Sequence, residues 1–163
     1  MKVHKISLKQ QKAVSDKSLP EKVIKKSIRT ALRIEKVSVP CEVNVLVTDN
    51  TGIKKINRDF RGIDEPTDVL SFPLQELVPG EFKYDENEVD RDTRFLPLGD
   101  IILSADTLRR QAYDYGNTIE RETAYMVIHS VLHLLGYDHV DEGADKRGMR
   151  LREKLILEKT GIK

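Results

Sequence analysis

The sequence predicts an α+β fold: a single domain over residues 1–163, with one mixed four-stranded sheet packed against about five helices. Short stretches in which every second residue is apolar are typical of strands, and longer stretches with an apolar residue every three or four positions are typical of helices. Along the chain these stretches follow the order strand, helix, strand, helix, two strands and three helices. This order favours helices packed against one sheet. The length of 163 residues suits one ordinary domain.

Four stretches are expected to form the strands. The clearest is Cys41–Thr48, where every second residue from Cys41 to Val47 is apolar and β-branched residues are frequent. The other candidates cover residues 3–8, 69–72 and 98–104. Residues 79–97 contain two prolines, a glycine and the acidic run YDENEVDRD. Their apolar residues follow neither the two-residue period of a strand nor the period of a helix. We expect this segment to form a surface loop.

The first helix, over residues 21–35, carries a stripe of cations opposite an apolar face. The cations recur at positions i, i+4, i+7 and i+11, and they are Lys22, Lys26, Arg29 and Arg33. Such a stripe can contact nucleic acid, but a solvated helix surface is the commoner explanation. The stripe is therefore only a supporting observation for a nucleic-acid partner.

The other helices have recognisable ends. Asp49 or Thr51 can cap the second helix, and Gly62 stands where a C-terminal glycine is expected. Three further helices are predicted over about 105–115, from a capping box of Asn117 and Glu120 to Leu135, and over about 141–159.

Composition limits the classes of protein to which the chain can belong. Apolar residues make up 39% and charged residues 34%, which is typical of a folded globular protein. The net charge of +1 excludes a dedicated nucleic-acid packaging domain, so any contact with nucleic acid must depend on a local patch. Cys41 is the only cysteine, and we expect a buried thiol in a reducing compartment. Because we find no leader and no membrane span, we expect a cytoplasmic protein with no membrane partner.

A cluster of histidines is the strongest chemical signal in the sequence. Three of the four histidines lie within HSVLHLLGYDH, at positions 129, 133 and 139. His129 and His133 are one helical turn apart, so their imidazoles leave the same face of the helix. Gly136 can end the helix and turn the chain so that His139 reaches the same point. Three nitrogen ligands leave one open position on a tetrahedral ion, as in catalytic zinc sites.

The alternative is that these histidines are structural and satisfied by other partners, as we expect for the isolated His4. However, their helix is apolar almost all round, and each buried imidazole without a partner would cost about 1–3 kcal/mol. A shared metal ion removes that cost. Zinc suits imidazole ligands best, although nickel or copper could occupy the same site in a purified sample. One zinc ion per chain and hydrolytic chemistry are therefore predicted.

The spacing of the three histidines also matches the metzincin proteases, whose motif is H-E-x-x-H-x-x-G-x-x-H. One residue disagrees with that assignment. Ser130 stands where the motif has its general-base glutamate, and a serine cannot perform that proton transfer. The ligand spacing fits a protease, but the catalytic residue does not.

Three blocks of sequence together resemble another family. They are HSVLHLLGYDH, INRDFRGIDEPTDVLSFP at 56–73 and LGDIILS at 98–104. Over about residues 40–159 the chain closely resembles the YbeY family of bacterial ribosomal RNA maturation factors. The resemblance implies a zincin-like fold and a single-strand-specific, metal-dependent endoribonuclease that acts in small-subunit ribosomal RNA maturation and ribosome quality control. It implies single-stranded ribosomal RNA and ribosome-associated proteins as partners.

The same resemblance assigns candidate roles to individual residues. It implies that His129, His133 and His139 bind zinc and that Arg61 is catalytically important. The family commonly has a lysine where this chain has Ile63, so a phosphate contact from that side chain is missing. The acidic loop around residues 81–92 is also longer than usual, which leaves its substrate contacts open.

The residues themselves leave the role of Arg61 open. A guanidinium can hold a phosphate by two parallel hydrogen bonds and stabilise charge that develops on it. A structural salt bridge with Asp64 or Asp68 would explain the same residue equally well, and it is the family resemblance that favours the substrate.

Three residues near the motifs are weaker candidates. Asp100 and Asp138 could orient a histidine ligand or accept a proton. Tyr137 could stack on an RNA base, although packing is the commoner role for such a tyrosine.

The sequence is compatible with three functions. The leading hypothesis is an RNA-cleaving zinc hydrolase in which Arg61 holds the phosphate. A peptidase or amidase with a different base is the enzymatic alternative. The third is a non-catalytic ribosome-assembly module in which zinc only holds the last two helices together.

Overall fold

The computed structural model describes residues 3–138 and 144–163, the latter with side chains from residue 147 onward. Within these residues the strands are β1 (Lys5–Gln10), β2 (Cys41–Thr48), β3 (Val69–Pro73) and β4 (Leu96–Ser104). The α-helices are α1 (Glu21–Ile34), α2 (Asn50–Arg61), α3 (Ala105–Tyr115), α4 (Ile119–Leu134) and α5 (Ala144–Thr160). The predicted α+β class and the predicted order of elements are confirmed.

The four strands form one mixed sheet in the order β1-β2-β4-β3. β1, β2 and β4 run parallel, and β3 runs antiparallel to β4. The bounds predicted for β2 are correct, but β1 lies two residues later than predicted. The pairing of β1 with β2 sets its bounds, because the paired residues run from Lys5, opposite Glu42, to Gln10, opposite Val47.

The two faces of the sheet are covered differently. On one face, the buried residues of β2, from Cys41 to Val47, belong to the main core together with residues of α1, α4 and α5. On the other face, α2 covers a small cluster formed by Ile53, Leu70 and Ile102. The alternation of β2 therefore turns its apolar residues towards the main core.

Helix α4 lies at the centre of the fold. It contacts α1, α3, α5, β3 and β4, which explains why its sequence is apolar almost all round. Its N-cap is Thr118, whose hydroxyl accepts from the backbone N–H of Arg121 at 3.1 Å, so the predicted cap at Asn117 is one residue too early. No helix within the described residues combines the length and apolarity needed to cross a membrane.

Gly99 allows the C-terminal end of α4 to approach the sheet. A Cβ atom at this position of β4 would lie 2.5 Å from the carbonyl oxygen of Phe72 and 2.7 Å from a methyl group of Leu134. Any larger residue would push α4 away from β3 and β4. The close approach brings the histidine-bearing end of α4 beside β3.

Candidate active site

His129 and His133 lie side by side on α4. Their Nε2 atoms are 3.1 Å apart, and the two rings meet edge to face with centroids separated by 4.6 Å. The one-turn spacing produces this convergence, as predicted from the sequence. His139, the third predicted ligand, lies outside the described residues.

The spacing of the two Nε2 atoms fits two ligands of one metal ion. Zinc–nitrogen bonds of about 2.0–2.1 Å in a tetrahedral site place two nitrogen ligands about 3.3 Å apart. The observed 3.1 Å is close to that value. Within residues 3–138 and 144–163, no group of three potential histidine, cysteine or carboxylate ligands converges. The described residues therefore supply two imidazoles to the predicted site.

Glu153 of α5 orients His129. The Nδ1–H of His129 donates to Oε1 of Glu153 at 2.6 Å, and Glu153 is only 3% exposed. Burial alone would raise the pKa of Glu153, but the hydrogen bond from His129 and the nearby Tyr125 hydroxyl lower it below its ordinary value. An ionised carboxylate can only accept, so it fixes the proton of His129 on Nδ1 and makes Nε2 the ring nitrogen that carries the lone pair.

Glu153 is not among the residues predicted from the sequence, although the sequence contains a signal for it. Met149, Glu153 and Ile156 recur at i, i+4 and i+7 on α5, and all three are buried. A carboxylate in the middle of an apolar stripe requires a polar partner in the core. Which partner it has could not be predicted, because His129 is 24 residues away in sequence.

The two imidazoles open into a cleft of about 710 Å³. Its walls come from β3 and the loop that follows β3, from the end of α4 and from the end of α2. Arg61, Asp68 and Ser71 line the cleft together with both histidines. The cleft therefore brings two of the three predicted metal ligands, His129 and His133, and the predicted catalytic arginine to one cavity.

The bounds of α2 determine where Arg61 lies. Asp49 caps the helix by accepting from the backbone N–H of Gly52 at 2.8 Å, and Gly62 ends it in the left-handed conformation with φ of 71°. Arg61 is the last residue of the helix, is exposed and lines the cleft.

The described residues do not show the salt bridge proposed as an alternative for Arg61. No ion pair joins Arg61 to Asp64 or Asp68 within the part of the chain that the structure describes. Asp68 instead accepts from the backbone N–H of Val69 at 2.7 Å and from the Gln111 amide at 3.2 Å. The guanidinium of Arg61 is therefore available to a ligand in the cleft.

Ser130 lies away from the cleft, although its neighbour His129 faces it. Its side chain is fully buried, and its Oγ shares a hydrogen bond of 2.6 Å with Oγ of Ser71 on β3. The position that carries the general base in metzincins is therefore used here to attach α4 to the sheet.

The three weaker candidates have different environments. Oδ1 of Asp100 accepts from the Asn44 amide at 3.1 Å on the sheet face that α2 covers, so Asp100 does not orient a histidine of the cleft. Asp138 lines the cleft. Tyr137 also lines it, but its hydroxyl donates to Glu35 at 2.8 Å, and burial together with Glu35 raises the pKa of Tyr137 to about 12.

Gly136 forms the turn predicted after α4. Its φ of 98° lies in a region that other residues rarely adopt, and a Cβ would overlap the carbonyl oxygen of Leu77 in the cleft loop. Only glycine fits at this position. The turn leads directly to residues 137 and 138 at the wall of the cleft.

Comparison with known proteins identifies the family. A family model described as endoribonuclease YbeY matches residues 5–161. The chain belongs to the YbeY endoribonuclease family. Endoribonuclease YbeY of Clostridium kluyveri is 47% identical, over 87% of this chain and 90% of the relative. Endoribonuclease YbeY of Caldicellulosiruptor saccharolyticus is 41% identical over 96% of each chain. The family resemblance inferred from the three motif blocks is thus confirmed.

A solved structure agrees with the fold of this YbeY-family chain. The solution structure of TM1509 from Thermotoga maritima matches with a TM-score of 0.59 and 29% sequence identity. The match covers 95% of this chain and 88% of that chain. The predicted α+β fold with its mixed four-stranded sheet is therefore supported by an independent structure.

Proposed function

We propose that this chain is a zinc-dependent endoribonuclease that cleaves single-stranded RNA during small-subunit ribosomal RNA maturation and ribosome quality control. The observation behind the proposal is the shared cleft, in which the Nε2 atoms of His129 and His133 lie 3.1 Å apart and Arg61 lines the same cavity. Family membership supports the choice of RNA as substrate. The proposed substrate and ribosome-associated partners imply work in the cytoplasm.

The residues of the metal centre have separate roles in this proposal. His129, His133 and His139 hold one zinc ion, and Glu153 orients His129 from behind. When bound, zinc supplies a Lewis acid and activates water near neutral pH. A carboxylate hydrogen-bonded to a ligating imidazole fixes its tautomer and increases its basicity.

Arg61 binds the phosphate next to the bond that is cleaved. It is exposed, it lines the cleft, and neither Asp64 nor Asp68 neutralises it within the described residues. Two parallel N–H donors match two phosphate oxygens and stabilise charge that builds on them during cleavage. A neutral Ile63 at the position where the family commonly has lysine leaves Arg61 with a larger share of that task.

The two alternative functions have weaker support. A peptidase needs a base beside the metal, but Ser130 is fully buried and bonded to Ser71. A non-catalytic module needs no open cavity, whereas a cleft of about 710 Å³ gives a ligand access to both imidazoles. The nuclease explains the histidines, the cleft and the arginine together.

The proposal is tested by cleavage of a labelled single-stranded RNA, of the same RNA in a duplex and of casein. We expect metal-dependent cleavage of the single strand only. Arg61→Ala should lose most of this activity and keep its metal and fold. Arg58→Ala is the matched control, because Arg58 lies on the same helix and pairs with Asp59 at 3.3 Å. Metal-dependent proteolysis without RNA cleavage, or equal activity of the two arginine variants, would contradict the proposal.

A further inference from the structure

A second cavity, of about 580 Å³, lies along α1. We call it the α1 groove, and its cationic lining consists of Lys22, Lys25, Lys26, Arg29 and Arg33. Thr30 and Val37 form part of its floor, and both are buried. The groove shares no lining residue with the cleft that holds His129 and His133. It contains the cationic stripe that the proposed nuclease chemistry does not use.

The charge of the α1 groove is almost unopposed. Lys25 pairs with Glu21 at 3.1 Å, and no carboxylate lines the groove. Lys22, Lys26, Arg29 and Arg33 are exposed and make no ion pair within the part of the chain that the structure describes. The whole chain has a net charge of only +1, so four unpaired cations on one helix are a strong local excess. A polyanion is the ligand that such a surface fits.

The dimensions of the stripe suit a nucleic-acid backbone. Lys22 and Arg33 are eleven residues apart on one helix, which corresponds to about 16 Å at about 1.5 Å per residue. A single strand of RNA carries several phosphates over that length, so each of the four cations can contact one of them. The cations have a fixed spacing because the opposite face of α1 is anchored in the core by Ile24, Ile28 and Leu32, all fully buried.

The same burial disfavours an anionic membrane as the ligand. A helix that lies on a membrane inserts its apolar face into the lipid. The apolar face of α1 is already covered by α4 and α5, so only the cationic edge is available. RNA requires no apolar contact and is bound through its phosphates.

The end of α1 is joined to the wall of the cleft. Glu35 follows α1 directly, and it accepts from the Tyr137 hydroxyl at 2.8 Å and from Arg152 at 2.7 Å. Tyr137 lines the cleft. These bonds hold the last turn of α1 against the end of α4, so the α1 groove keeps a fixed position relative to the metal centre.

We propose that the α1 groove binds the phosphate backbone of the RNA substrate outside the segment that is cleaved. The inference rests on the proposed endoribonuclease function and adds a second contact with the same substrate. Affinity for long RNA then depends on the groove, whereas cleavage of an RNA that fills only the cleft does not. The groove thereby gives a chain with little net charge a local cationic surface for the RNA phosphates.

The test compares two variants with the same change in charge. The groove variant carries Lys22→Gln, Lys26→Gln, Arg29→Gln and Arg33→Gln. The control variant carries Lys12→Gln, Arg91→Gln, Arg110→Gln and Lys159→Gln, which are exposed and lie outside both cavities. Binding of an unstructured RNA of about 30 nucleotides is followed by fluorescence anisotropy between about 50 and 200 mM salt. The RNA is examined on a denaturing gel after each measurement, so that cleavage does not distort the affinities.

We expect the groove variant to bind the long RNA at least tenfold more weakly than the control variant at low salt. Each single-stranded phosphate contact contributes about −0.7 to the log–log slope, so losing four contacts should make the slope shallower by about 3. Cleavage of an oligonucleotide of about six nucleotides should be the same for the groove variant, the control variant and the wild type, because the short RNA occupies only the cleft.

Different results separate this inference from the proposed function. If the wild type binds RNA but does not cleave it, the nuclease proposal fails and the anisotropy comparison still decides the role of the groove. Equal affinity of the two variants for long RNA would overturn the inference. Equal loss of cleavage on short and long RNA would also overturn it, because the groove would then act through the fold. The inference would also be overturned if the groove variant lost binding to phosphatidylserine vesicles but kept its binding to RNA.

Discussion

Replacing Glu153 is expected to weaken metal binding without touching the ligands themselves. Glu153 is 3% exposed and accepts from Nδ1 of His129 at 2.6 Å, a short distance for a charge-assisted hydrogen bond. Changing a carboxylate that orients a ligating histidine typically costs about 10–100-fold in metal affinity. We expect about tenfold for Glu153→Gln and about a hundredfold for Glu153→Ala.

The two substitutions differ because they remove different parts of the interaction. Glutamine keeps the volume and one acceptor oxygen for the Nδ1–H of His129, so only the negative charge is lost. Alanine also removes the acceptor, which leaves the imidazole free to rotate and to exchange its proton between the two nitrogens. The expected losses correspond to about 1.4 and 2.7 kcal/mol of metal-binding free energy.

The assay is competition for zinc against a chromophoric chelator, which measures the dissociation constant without using activity. Glu158→Gln is the matched control, because Glu158 lies on the same helix and is exposed. Far-ultraviolet circular dichroism of each variant reports whether α5 is intact. A zinc affinity of Glu153→Gln and Glu153→Ala equal to that of Glu158→Gln would refute the reasoning.

Two further predictions concern the fold around the site. Gly136→Ala should lower the free energy of unfolding by about 2–3 kcal/mol and the Tm by about 5–10 °C, because the new Cβ combines positive-φ strain with a clash. Gly148→Ala, with open space in α5, should instead gain about 0.5–1 kcal/mol in calorimetry, and equal effects of the two would refute this explanation. Cys41 is fully buried, and burial raises the pKa of its thiol to about 12. Iodoacetamide at mildly alkaline pH should therefore label it, as seen by mass spectrometry, only after denaturation, and rapid labelling of the native protein would contradict its burial.

The local features of the fold could be predicted from the sequence, because their signals are local. The alternation from Cys41 to Val47 gave the bounds of β2, and the one-turn spacing of His129 and His133 gave their convergence. Gly136 predicted the turn after α4, since no other residue fits its backbone conformation.

Contacts between distant segments could not be predicted in the same way. The partner of Glu153 depends on how α5 crosses α4, and no periodicity encodes that crossing. Asp100 is a candidate partner of a histidine in the sequence because it lies in a motif block, but the pleat of β4 turns it towards the face covered by α2. The salt bridge considered for Arg61 could be judged only when the partners of Asp68 were known.

The most direct test of the proposed metal centre is single-turnover cleavage of single-stranded RNA by metal-depleted protein titrated with zinc. The wild type should regain activity in proportion to added zinc and reach a plateau at about one ion per chain. His133→Ala should stay inactive at the same zinc concentrations, because one of the two converging imidazoles is missing. Full cleavage by the metal-depleted wild type, or by His133→Ala, would contradict the proposal that this site cleaves RNA through a bound metal ion.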